Sequence, residues 1–375
     1  MAYWHPRGFL LYRLLEHAVR AHFTEQGYSE VRTPQLLRQP VWEASGHFSH
    51  FHGGMFTLMD GSEAAALKPV SCPGHIHLVR RDSPSYRDLP IRIAEFGIVH
   101  RDEPSGTLHG LLRLRQFTQD DGHIFCEPDQ AEREVEAFCR SVAPFYARFG
   151  FERVGVTLAT RPAESAGDDA SWAHAEAALR NVLGRLGGAF DEAPGGGAFY
   201  GPKLEFVLKD RHGRDWTCGT IQFDLVMPPR FELRYVDASG QRRHPVMLHR
   251  ALYGSLERFM GMLLEHYGPA LPPWLCPTQV LVLPIAEAHE AWARAAAGEL
   301  ARAGLRVASD FRKETLAKRV AEAHAAAVPF VAIVGAREVE ARSLSIRARD
   351  RHFSGGLEAI ARDLAEACAS PFGSI

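Results

Sequence analysis

The chain has 375 residues, 46% hydrophobic and 23% charged, and its 43 Lys and Arg against 45 Asp and Glu give a formal net charge of −2. That length exceeds one ordinary hydrophobic core and predicts two or three domains of a globular protein, not a disordered or fibrous one. A near-neutral balance excludes a global basic field for nucleic acid and leaves only a local patch open.

No apolar run reaches the ~18 residues of a membrane span. The N-terminus mixes His5, Arg7 and Arg13 among its apolar residues and lacks a secretory core with a cleavage site. The six cysteines are scattered with no C-x-x-C pair, so they read as reduced thiols, any of which can bind metal, in a cytoplasmic protein.

Residues 8–26 place Phe9, Leu10, Tyr12, Leu14, Leu15, Val19 and Phe23 at helical spacing. "GYSEVRTPQLL" (27–37) reads as a turn into a short strand stopped near Pro34. "PIRIAEFGIVHR" (90–101) reads as a strand and "EPSG" (103–106) as a bend. "LLRLRQFTQ" (111–119) alternates Leu and Arg, predicting a second strand with Arg113 and Arg115 on one wet face. Helices follow at 130–150, ended by Gly150, and at 171–187. A glycine-rich loop runs into a strand over 194–210, with further strands at 215–228 and 231–237. Residues 245–268 begin extended and become a long helix. Four prolines in 269–277 mark a linker, which divides the chain into domains 1–273 and 274–375. Beyond it, strands at 278–285, 306–311, 329–335 and 343–350 alternate with helices at 287–304, 314–327 and 356–368, a small α/β domain.

The stretch "HRDEPSGTLHGLLRLRQFTQDDGHIFC" (100–126) carries more charge than a structural hairpin requires. A guanidinium binds phosphate oxygens bidentately and stays charged. Arg101 and Arg113 can clamp a polyphosphate, Glu103 can accept from an exocyclic amine, and Phe117 can stack on a base. A solvated hairpin with cross-strand salt bridges explains the same residues. Cys72, His123 and His249 supply one thiolate and two imidazoles, the donor set of a three-ligand zinc site with an open position. By residue type alone His75 and His77 are equal candidates, and each of these residues also reads as an ordinary core side chain.

"HRDEPSG" with "RQFTQDDGHIFC", "HRALYGSLERF" (249–259) and "GYSEVRTPQLL" resemble motifs 2, 3 and 1 of the class II aminoacyl-tRNA synthetases. "KPVSCPGH", "FYGPKLEF" and "CGTIQFD" are similar to the threonyl form of that family, and the resemblance runs in order along the whole chain. It implies an α/β fold: a six-stranded antiparallel sheet flanked by helices, then an anticodon-binding α/β domain. It implies ATP-dependent activation of threonine and transfer to tRNA(Thr) by a homodimer, with magnesium accompanying ATP. The family's zinc ligands fall on Cys72, His123 and His249. Arg101 matches the α-phosphate ligand, Glu103 the adenine contact, Phe117 the stacking aromatic, and Arg113 and Arg258 the distal-phosphate residues. Gln119, Asp121, Tyr200, Lys203 and Gln222 match the amino-acid and adenylate pocket, Lys203 and His47 being counted as catalytic and Gln222 also as an ATP contact. Glu338 and Arg347 match anticodon-reading positions.

The sequence departs from that pattern at Val70, Ser71, Thr217 and Gln116 around the pocket. Ala321, Ala326 and Ala327 stand where basic side chains are common, which predicts weakened tRNA binding. The chain begins at the catalytic domain, so the expectation is a short form that activates some serine and cannot correct it in cis. A synthetase-like enzyme loading a carrier protein or small molecule is the alternative, and a non-catalytic regulatory paralogue a third reading, opposed by the presence of Arg101, Glu103 and Arg258.

Overall fold

The computed structural model describes residues 1–50, 54–60, 63–349 and 351–373. It divides into two compact units, Met1–Tyr3 with Ala18–Met262, and Trp4–His17 with Leu263–Ile375.

The first unit is built on an eight-stranded sheet. Its order is Ser29–Glu30, Ile91–His100, Gln116–Cys126, Val246–Ala251, Asp215–Asp224, Lys203–Lys209, Val154–Ala159, Asp191–Ala193. The six inner strands are antiparallel, as expected, and each outer one is a short parallel addition. The β-branched run of Ile91–His100 pairs with Gln116–Cys126 over ten residues, from Ile91 opposite Phe125 to His100 opposite Gln116. Helix Pro128–Ala147 covers one face with Val135, Phe138, Val142 and Phe145, an apolar stripe at helical spacing. Tyr253 joins Phe145 (ring centroids 5.6 Å apart) to Phe259 (4.1 Å), which seats the start of helix Leu256–Tyr267 on that layer. A three-stranded sheet of Leu36–Arg38, Thr57–Asp60 and Glu63–Leu67, and helix Cys72–Asp82, were not anticipated from the sequence.

Three strand expectations are corrected. The strand expected at 111–119 begins only at Gln116, so Arg113 and Arg115 sit in the preceding turn. There Gly110 takes φ +48° and Arg113 N donates to His109 O. The apolar residues of that segment pack on helix Leu256–Tyr267, where a Cβ at Gly261 would meet Leu112 at 3.0 Å. The strand at 215–228 ends at Asp224, because its carboxylate accepts the Val226 and Met227 N–H groups and turns the chain into Pro228 and Pro229. Of 231–237 only Tyr235–Val236 pairs, after a break at Glu232 with φ +50°.

The second unit carries a five-stranded sheet ordered Val307–Ser309, Val280–Pro284, Phe330–Val334, Ser343–Ala348, His352–Gly356. The first three are parallel, and the last two are added antiparallel. Its core gathers Val280, Val282, Leu300, Phe330, Leu344, Ile346, Ile360 and Leu364. Strand His352–Gly356 and helix Ala336–Glu340 were not foreseen, and Asp350, the end of the expected strand 343–350, lies outside the described residues. All six cysteines are buried and free, and no helix among the described residues is long and apolar enough to cross a membrane.

Gly201 lies where the backbone comes closest: a Cβ there would stand 1.9 Å from Phe223 O. Gly201→Ala is expected to destabilise the first unit by about 1–3 kcal/mol. Gly188→Ala, which meets nothing within 4 Å, should leave stability unchanged in the same urea titration.

Candidate active site and metal centre

Across four neighbouring strands Lys203, Gln222, His249 and His123 stand opposite one another in register. Directly opposed residues share a face, so all four side chains project from the side not covered by helix Pro128–Ala147. Along Gln116–Cys126 the two-residue period adds Phe117, Gln119 and Asp121 to that face. Asp120 points the other way, where its carboxylate accepts the N–H groups of Leu252 (2.6 Å) and Tyr253 (3.0 Å). The adjacent acids of "QDDGH" therefore divide: Asp120 holds the turn after the Val246–Ala251 strand and Asp121 serves the open face.

A cavity of about 510 Å³ opens on this face. Arg101, Glu103, Arg113, Phe117, Gln119, Lys203, Gln222 and Arg258 all line it, with Thr217 among them. The Arg101 guanidinium lies 5.1 Å from the Phe117 ring centroid, and its Nε donates to Pro69 O at 3.2 Å. Arg113 donates to Glu103 Oε2 through Nε (3.0 Å) and Nη2 (2.7 Å). The hairpin salt bridge considered from sequence thus exists, yet its arginine is 51% exposed. Such a pair contributes about 0–1 kcal/mol, little enough for the guanidinium to be transferred to a phosphate. Arg258 follows a helix start fixed by Ser255 Oγ, which accepts the Arg258 N–H at 3.2 Å, and by Glu257, which accepts the Thr118 N–H at 2.9 Å. Tyr200 OH donates to Gln222 Oε1 at 2.6 Å, and its ring stacks 4.7 Å from that of His249. Lys203 Nζ pairs with Glu205 at 2.7 Å.

Beside the cavity, donor atoms of Cys72, His123 and His249 lie within 4.8 Å of one another, all three residues buried. Cys72 opens helix Cys72–Asp82, whose N-terminal Ser71 donates its N–H to Asp121 Oδ2 at 3.3 Å. Burial, then the charges of Asp121 and Asp224, push the Cys72 thiol well up. Burial, then His249 and His75, hold the His123 imidazole well below its ordinary value. Left alone the cluster is a neutral thiol with a neutral His123, and a divalent cation is the charge that makes the thiolate favourable here, so the donor set fits a metal. Of the other candidates, His77 packs against Phe231 at 5.6 Å, whereas His75 Nδ1 reaches His123 Nδ1 at 2.7 Å.

His47 is not among the cavity-lining residues. It is buried with Nδ1 2.9 Å from Ser45 Oγ and its ring edge-on to Phe199. Burial, followed by the charges of His249 and Arg101, lowers its pKa to about 3, which leaves it neutral and weakly basic.

In the second unit Arg347 lines a cavity of about 490 Å³ with His324, Ala327, Arg349 and Arg351. Glu338 is not part of that wall; its Oε2 accepts the Gly335 N–H at 2.9 Å and closes the start of its own helix. Ala326 borders another cavity, of about 450 Å³, beside Arg312, Arg319 and Arg7. Arg7 Nη2 donates to Ala326 O at 3.3 Å, so a cation 319 positions away stands where the local sequence offers alanine. Sequence reasoning missed Arg7 because no local pattern announces it.

Residues 56–267 match the family model for the tRNA synthetase class II core domain (G, H, P, S and T), and residues 279–363 that for the anticodon binding domain. The crystal structure of the RNA binding domain of threonyl-tRNA synthetase from Cryptosporidium parvum Iowa II is similar at a TM-score of 0.94 and 36% identity, covering 99% of this chain and 93% of that one. The chain belongs to the threonyl branch of the class II aminoacyl-tRNA synthetases. A putative threonyl-tRNA synthetase ThrRS-1 from Aeropyrum pernix is similar at a TM-score of 0.84 and 30% identity, over 97% of this chain and 88% of that one. The threonine–tRNA ligase of Burkholderia mallei (strain SAVP1) is 45% identical over 349 residues, 93% of this chain and 55% of that protein. The chain thus spans about half the length of the curated relatives it matches.

Proposed function

We propose that the chain activates threonine with ATP and transfers it to tRNA(Thr), working in the cytoplasm as a homodimer. The observation that carries this reading is the contiguity, on one sheet face, of an arginine-lined cavity and a buried Cys–His–His cluster. The threonine carboxylate attacks the α-phosphorus of ATP and pyrophosphate leaves, carrying the distal charge with its magnesium. Arg101 stabilises the negative charge that grows on the α-phosphate in the transition state. Phe117 stacks on the adenine, Glu103 accepts from its amino group, and Arg113 and Arg258 hold the departing phosphates. Gln119, Tyr200, Lys203 and Gln222 orient the adenylate, and Asp121 accepts the threonine hydroxyl hydrogen. His47 assists transfer to the tRNA ribose, while Glu338 and Arg347 read the anticodon.

Cys72, His123 and His249 would hold one zinc ion. When bound, it supplies a Lewis-acid position for the amino and hydroxyl groups of threonine. Metal analysis of the purified protein is expected to give one zinc per chain, and Cys72→Ala to give none. A zinc-free parent that still activates threonine would refute the metal reading. The function itself is tested by pyrophosphate exchange across the amino acids, followed by charging of tRNA. Exchange with no amino acid overturns the proposal, and strong exchange without charged tRNA shifts it to another acceptor.

A further inference from the structure

The two imidazoles of the Cys–His–His cluster reach each other through His123 Nε2 and His249 Nδ1, 2.9 Å apart. Each ring therefore turns its other nitrogen away from the cluster, and the partners there decide where each proton sits. His249 Nε2 faces Asp224 Oδ2 at 2.8 Å. A carboxylate only accepts, so His249 carries its proton on Nε2 and offers Nδ1 as a lone pair.

His123 Nδ1 meets another imidazole, His75 Nδ1, at 2.7 Å, and one of the two must donate. The other nitrogen of His75 settles which. His75 Nε2 lies 3.5 Å from Glu95 Oε1, too far for a hydrogen bond but close enough for the carboxylate charge to act on the ring. Glu95 is fixed as a carboxylate by Lys68 Nζ at 2.7 Å and by the Thr33 hydroxyl and N–H at 2.7 and 2.9 Å. The Glu95 charge beside it favours the His75 proton on Nε2, so His75 accepts on Nδ1, His123 donates from Nδ1, and His123 Nε2 is left as a lone pair. Both nitrogens in the cluster are then lone pairs 2.9 Å apart, an arrangement that is favourable only with a cation held by both.

We infer that His75, seated on the buried Glu95–Lys68–Thr33 group, and Asp224 are positioning residues that lock His123 and His249 in the metal-binding tautomers. This rests on the zinc reading above. Lys68, Glu95 and His75 are almost fully buried (1%, 1% and 0% exposed), so solvent does not substitute for the missing partner when one is removed.

The test uses the full chain and zinc itself, with affinity measured by competition against a chromophoric chelator. His75→Ala is expected to weaken zinc binding about 10–100-fold, and His75→Gln, whose amide oxygen can take the His123 proton, to recover most of it. Asp224→Asn should lose as much as His75→Ala although it is isosteric. The Asn oxygen is drawn to the Val226 and Met227 N–H groups, which Asp224 Oδ1 accepts at 2.7 and 2.9 Å. Its NH₂ then faces His249 Nε2 and drives the proton onto Nδ1, inside the cluster. A parent that binds zinc together with variants that bind it equally well overturns this inference alone. A parent that binds no zinc overturns the metal reading and this inference with it. A second measurement does not depend on the variants folding: long-range ¹⁵N spectra of the parent's histidines should show His123 protonated at Nδ1 and His249 at Nε2. The opposite tautomer at either residue refutes the assignment.

Discussion

Replacing Arg101 by alanine is expected to slow threonyl-adenylate formation about 10²–10³-fold, with the apparent affinity for threonine little changed. The side chain sits where the end of the Ile91–His100 strand meets the cavity, its guanidinium over Phe117 and its Nε tied to Pro69 O. Those contacts aim it before ATP arrives, so little reorganisation is needed when charge develops on the α-phosphate. A contact that strengthens only in the transition state lowers kcat and kcat/KM together. Arg101→Lys should recover only part of the loss, because a point charge cannot reproduce the planar fork. Pyrophosphate exchange measures both variants, and an alanine variant within threefold of the parent would remove Arg101 from the mechanism.

The second large effect concerns valine. If the polar cluster receives the threonine hydroxyl, valine should be activated about 10⁴–10⁵-fold less efficiently than threonine, because it leaves those buried groups unpaired. Serine keeps the hydroxyl and lacks one methyl, which discriminates by only about 10–200-fold. On the proposed reading Asp121 is the acceptor for that hydroxyl: one oxygen accepts the Ser71 N–H, and the other lies 3.8 Å from His123 Nε2. Parallel exchange assays with the three amino acids give the ratios. Valine and serine activated equally well would show that the cluster does not read the hydroxyl.

The strands around the site were legible because β-branched residues and a two-residue period mark them. Phe117, Gln119, Asp121 and His123 alternate, and the structure keeps them on one face. The alternation of Leu and Arg just before them carried the same signal and misled, because the leucines answer to a helix and not to the sheet. Cys72 and His249 could not be joined to His123 by pattern, since one strand of the same sheet lies between Cys72 and His123 and four lie between His123 and His249. Their grouping was readable only through resemblance. His75 was legible only as a candidate ligand, and Asp224 only as the end of a quoted motif; neither gave a sign of a positioning role. Their positions matter through the second nitrogen of another residue's ring, which depends on tertiary packing alone.

The row of Lys203, Gln222, His249 and His123 has an evolutionary consequence. Because neighbouring residues of a strand alternate between faces, deleting one residue within any of these four strands turns its site-facing side chains into the helical layer. In the two strands that carry His123 and His249, a member of the Cys–His–His cluster and part of the cavity wall are then displaced by the same event. Length change in this chain is therefore tolerable in the connections between strands and not within them. Insertions and deletions that enter the row remove the site in one step, and only point substitutions can alter it by degrees.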